Sequence, residues 1–100
     1  MIAKQHRTRN GIIVALCDDK ILGKKFFEGD AVLDLSSDFY KGEKVSRERA
    51  AEICKRAYII NAVGEESVSL LVSQGFIEKN NIKKISRMPF AQCIVIENEI

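Results

Sequence analysis

Few residues in this sequence are of the types and spacings that do chemistry. His6 is the only histidine, and it stands beside Arg7 and Arg9. A general base needs an orienting partner and a nucleophile within reach; no spacing supplies either, so His6 reads as a surface histidine. Cys17, Cys54 and Cys93 lie far apart in sequence, unlike zinc-ligand or redox pairs. Asp18 and Asp19 follow Cys17, and neighbouring negative charge raises a thiol pKa and dampens its reactivity. Glu28, Asp30, Asp34 and Asp38 offer oxygen donors suited to a hard cation, but they do not follow the spacing of a calcium loop. Aspartates at such positions also serve turns through their own backbone hydrogen bonds. No catalytic set, metal or cofactor is expected.

The stretch INAVGEESVSLL, residues 60–71, has an apolar run, one glycine and then a helical apolar pattern. That order could make a phosphate-cradling turn between a strand and a helix. Such turns use two or three glycines, so that several amides can approach an anion at a positive helix end. Here Gly64 is alone, and Glu65 and Glu66 fill the first helical turn, where they would repel phosphate. The stretch is expected to be a helix start that satisfies its own amides.

The elements that position these residues come from a chain of 100 residues, 46% hydrophobic and 30% charged, which are the values of a single globular domain over 1–100. No apolar run approaches the ~20 residues of a membrane span, and MIAKQHRTRNG lacks the apolar core of a leader, so no membrane association is expected. An odd number of cysteines suits a reducing cytoplasm better than a disulfide framework. Net charge is +2 and is distributed in blocks. Lys4, Arg7 and Arg9 form one basic segment, and Lys83, Lys84 and Arg87 fall in another; if the two meet on one surface they make a positive patch.

Asn10-Gly11 between IAKQHRT and IIVALC signals a hairpin with a type I′ turn, with strands over 2–8 and 12–17. Lys24–Phe27 and AVLDL read as short strands around a Glu28-Gly29-Asp30 turn, and SSDFYKGEKV as a loop. Ser46 is placed to cap a helix over 47–57 whose Ala50, Ile53, Cys54 and Ala57 make one apolar stripe. YIINAV precedes a second helix over 65–74, closed by Gly75. Asn80-Asn81 marks a turn before IKKIS; Pro89 breaks the chain, and AQCIVIE closes it as a strand. This order predicts an α+β fold, a two-layer sandwich of a mainly antiparallel sheet with two helices.

The segments LGKKFFEGDAVLDLSSDFY, IINAVGEESVSLLVSQGFI and MPFAQCIVI resemble a small archaeal family of about one hundred residues known as domain of unknown function 424. The likeness runs from Cys17-Asp18 to Val95, and its most specific parts are Asn61, Gly64 and Glu65 and the Pro89 to Gln92 group. The family pattern has histidine after that proline, and this chain has Phe90. The resemblance implies an archaeal, cytoplasmic α+β protein, transfers no activity, and leaves histidine-dependent chemistry without its histidine.

Three functional expectations follow. The first is a non-catalytic cytosolic binding module that docks on RNA or a ribonucleoprotein through Lys4, Arg7, Arg9, Lys83, Lys84 and Arg87. The second is a protein-interaction or homo-oligomeric domain working through Phe39 and Tyr40, adjacent aromatics of which one should be exposed. The third is a small-ligand enzyme whose site gathers Asn61, Gly64, Glu65, Pro89 and Gln92.

Overall fold

The computed structural model of the chain describes residues 1–95. Strands β1 (Ile2–Thr8) and β2 (Gly11–Cys17) form the expected hairpin, in register from Ile2 opposite Cys17 to Thr8 opposite Gly11. Its turn differs from the expectation. Arg9 and Asn10 are the loop residues, and Gly11 alone takes a positive φ, +134°. A Cβ on Gly11 would meet the Tyr58 side chain, so the glycine serves close packing here. The turn of the I′ kind lies elsewhere. Between β7 (Lys83–Ile85) and β8 (Met88–Ile94), Ser86 and Arg87 both have positive φ, 50° and 68°, and join paired Ile85 and Met88.

Helix α1 (Arg47–Lys55) starts where expected, with Ser46 Oγ accepting from the Arg49 amide at 3.1 Å, and it buries Ala50, Ile53 and Cys54. Helix α2 (Glu65–Ser73) follows β6 (Ile59–Val63) directly. The remaining strands are β3 (Lys25–Glu28), β4 (Ala31–Asp34) and β5 (Glu43–Lys44), the last inside the segment expected to be only loop. Of the closing strand AQCIVIE, Ile96 and Glu97 lie outside the described residues.

The main sheet has the order β5-β1-β2-β6-β8-β7, and β2–β6 is its parallel pair. Both helices cover one face. Val14, Leu16, Ile60, Ala62 and Ala91 from the sheet meet Ala50, Cys54, Val68 and Leu71 from the helices, which is the two-layer α+β arrangement. On the other face the small β3–β4 sheet covers only one end, where Cys17, Val63 and Leu35 are buried with Phe26, Leu33, Tyr40 and Phe90 packed around them. No helix among the described residues is long and apolar enough to cross a membrane.

Pro89 does not break the chain; it lies within β8, paired with Lys84 of β7. Proline is tolerated there because its missing donor would have no acceptor. The Gly64 amide donates to the Pro89 carbonyl at 2.9 Å, but the Gly64 carbonyl already accepts from Val68 at the start of α2.

Candidate functional site

The strand registers sort the chemistry-bearing residues into rows on the face away from the helices. His6, Ile13, Ile59 and Ile94 lie side by side across four strands, and Lys4, Ala15, Asn61 and Gln92 form the next row. A third row, Ile2, Cys17, Val63, Phe90 and Lys83, mostly lies beneath the small sheet. The first two rows are open at the β8 side, where Ile94 is 60% exposed and Gln92 exposed; Lys4, His6, Ile13, Ile59 and Asn61 are half-buried, and Ala15 is fully buried.

One rim of this open face is a ring pair. His6 stacks on Phe39 with centroids 4.6 Å apart and planes 8° from parallel, and Phe39 meets Tyr40 edge to face at 5.1 Å. His6 Nε2 lies 2.9 Å from the Phe39 carbonyl, which only accepts, so Nε2 carries the proton. This corrects two expectations. His6 is partnered, and neither Phe39 nor Tyr40 is exposed: both are half-buried, Phe39 by His6 and Tyr40 by the second core. Burial, followed by the neighbouring Cys17, raises the Tyr40 phenol above its ordinary range.

The two basic segments do not meet. β1 and β7 are separated by three strands, roughly 19 Å at the usual spacing between strands, and side chains alternate faces along each. Lys4 and Lys83 share the face away from the helices, Lys83 as the exposed outer end of the row that the small sheet mostly covers, whereas Lys84 stands with Pro89 on the helix side. Arg7 alternates away from His6 to the helix side, while Arg9 and Arg87 sit in opposite hairpin turns. The strand positions of the open rows carry no carboxylate, so Lys4 and Lys83 give that face positive charge at both sides.

Asn61 and Gln92 are opposed on neighbouring strands, and neither side chain is hydrogen-bonded among the described residues. Gly64, Glu65 and Pro89 lie beyond that row, at the strand end, and the grooves that Glu65 and Pro89 line do not include Asn61 or Gln92. The five residues therefore split into an open amide pair and a strand-end group.

The strand-end group is architecture of a kind not foreseen. The α2 amides are not satisfied locally. Asp18, just past β2, accepts from the Glu66 amide at 3.1 Å, the Ser67 amide at 2.8 Å and the Ser67 hydroxyl at 2.7 Å. A carboxylate thus fills the positive helix end from a distant segment, which also leaves no place for a phosphate. Asp19 is engaged as well, by the Met1 amine at 2.6 Å and by Lys44 at 3.3 Å, and these partners hold its carboxyl below the usual range, the amine foremost. Of the other acidic candidates, Asp34 accepts from Ser36, Glu28 from the Ser86 amide, and Asp38 pairs with Lys41 at 3.1 Å. Among the described residues no three potential metal ligands cluster.

The thiols are not poised for attack. Burial, and then Asp18 and Asp19, push Cys17 up to about 11, and burial pushes Cys54 up to about 12. Phe90, which stands where the resemblance has histidine, packs against the second core.

No curated protein matches the chain. A crystal structure of an uncharacterized conserved protein from Methanopyrus kandleri is similar over 99% of this chain and 96% of that chain, with 26% identity and a TM-score of 0.81. The fold, the lone Gly64 before α2 and the Pro89 to Gln92 strand sit within residues 6–96, which match the family described as Protein of unknown function (DUF424), and the chain belongs to that family.

Proposed function

We propose that this protein is a non-catalytic cytoplasmic module that binds single-stranded RNA on the open face of its main sheet. The observation that carries the reading is the sharing of that face by the Asn61–Gln92 amide pair, the His6–Phe39 ring stack and the cations Lys4 and Lys83. Each group matches a need of an unstacked nucleotide. Amide side chains read base edges through paired donors and acceptors, aromatic rings stack bases, and flanking ammonium groups neutralise phosphates. The isoleucines between them give an apolar floor on which a base face loses little by leaving water.

Fluorescence anisotropy of a labelled twelve-nucleotide single-stranded RNA tests this at about 50 and 200 mM salt. With two phosphates neutralised, affinity should fall roughly sevenfold over that range. Lys4→Ala with Lys83→Ala should flatten the salt dependence, and Asn61→Ala with Gln92→Ala should weaken binding at both salts. Arg9→Ala, at the far turn, should change little. Absence of binding at the lower salt, or amide substitutions without effect, would remove the reading.

A further inference from the structure

A second surface, on the helix side, is built differently. Among the described residues β7 is the outer strand of the main sheet, beside β8. The Pro89 carbonyl accepts from Gly64 and so points toward β6. In an antiparallel ladder the N–H and C=O of one residue point to the same side, and directly opposed residues either exchange both bonds or neither. Lys84, opposite Pro89, therefore makes no ladder bond to β8, and its own N–H and C=O turn outward to the free edge. An unpaired edge of this kind accepts another strand.

A groove of about 450 Å³ runs beside that edge, with Val68 and Val72 of α2 on one wall and Ile82 and Pro89 on the other. Lys79 and Lys84 also line it, and neither is in an ion pair among the described residues. Glu65 also lines the groove, so its one carboxylate against Lys79 and Lys84 leaves a net positive charge there.

We infer that the β7 edge takes an extended acidic segment of a partner protein as an added strand. Lys84 would exchange main-chain bonds with it. Residues two apart on that segment would face the groove, a branched apolar side chain against Val68, Val72 and Ile82, and a carboxylate at Lys79 and Lys84. The side-chain period of two and the charge of the groove together specify acidic and apolar residues at successive second positions of the segment, with small polar residues between them. Nucleic acid fits less well, because a strand edge offers alternating donors and acceptors and not a row of donors.

The probe is a fluorescein-labelled peptide, acetyl-Ser-Asp-Ser-Val-Ser-Asp-Ser-amide, whose valine and two aspartates share one face of a strand, titrated into the full chain with amide chemical shifts recorded in parallel. Binding should move the resonances of residues 82–85 and 68–72. It should weaken at least tenfold in Lys79→Glu with Lys84→Glu, two exposed sites that leave the core untouched. A peptide with lysine in place of each aspartate should not bind, nor should one whose central valine is proline. Val72→Lys supplies a second variant that blocks the groove without changing the edge. Shifts confined to the open sheet face, equal binding of the lysine peptide, or no binding at millimolar peptide would overturn the inference. So would self-association of the protein that the same variants abolish, since the edge would then belong to a second copy. The RNA titration reports on the opposite face, and its failure leaves this inference standing.

Discussion

Gly64 is the residue on which the strand-end architecture turns. Its φ of +107° with ψ of 157° is backbone that essentially only glycine adopts, and a Cβ there would overlap the Asp18 carboxylate that caps α2. Gly64→Ala should cost about 3 kcal/mol, from backbone strain and from displacement of the carboxylate. Asp18→Ala should cost about 2 kcal/mol, because two amides and the buried Ser67 hydroxyl lose their acceptor. Part of the alanine penalty is the overlap with Asp18, so the double variant should lose about 1 kcal/mol less than the two single losses together. Urea unfolding of the four proteins measures the coupling, and strict additivity would show that Asp18 and Gly64 are independent. The sequence displays Gly64 and its two glutamates, whose charge disfavours a phosphate at the helix start. It does not display the capping carboxylate, because Asp18 lies in another strand's terminus and no local rule pairs the two.

At the scale of elements, the β7–β8 hairpin carries an avoidable strain. Ser86 and Arg87 both adopt left-handed backbone, which costs roughly 1 kcal/mol or more for each side chain, while Asn-Gly suits such a turn. Ser86→Asn with Arg87→Gly should stabilise the protein by about 1 kcal/mol, seen as a rise of roughly 4–8 °C in the melting temperature. An unchanged or lower melting temperature would mean that the Ser86 amide's bond to Glu28, or another contact at the turn, depends on the present residues. Elements whose causes are local were legible: the α1 stripe and its Ser46 cap, and the first hairpin. The two turns were not, because Asn10-Gly11 has the favoured composition while Tyr58 packing and the Thr8–Gly11 register set its geometry. Strand order was also hidden, since periodicity records which faces are buried and not which strands are neighbours. That is why the candidate cations divide as they do, with Lys4 and Lys83 on the face away from the helices, Lys84 in the groove and Arg9 and Arg87 at separate turns.

The whole molecule is a sheet held between two unequal cores, and each core contains a thiol that must stay protonated. Cys17 is fully buried under the small sheet, and Cys54 is fully buried beneath the helices. Their folded pKa values, about 11 and about 12, lie above the ordinary 9.0, principally because burial disfavours the thiolate. The native state therefore holds protons that the unfolded chain releases. The contribution to stability is complete below pH 9 and is lost as pH rises toward 11 to 12, at up to about 1.4 kcal/mol per pH unit for each thiol. Cys93, also raised by burial, and Tyr40 act in the same direction. Stability under reducing conditions should thus fall on the order of 3 kcal/mol between pH 8.5 and 10.5, a large fraction of what a domain of this size possesses. Cys54→Ala will lower stability at every pH through the small cavity it leaves, but it should also flatten the alkaline slope, and Cys17→Ala should flatten it separately. Urea midpoints taken across that pH range separate the two effects, because a packing loss shifts the curve and a titration changes its gradient. Equal gradients in all three proteins would show that the buried thiols do not govern alkaline unfolding. Flattening in both variants would show that the helix core and the small-sheet core unfold together, as one cooperative unit on either side of the same sheet.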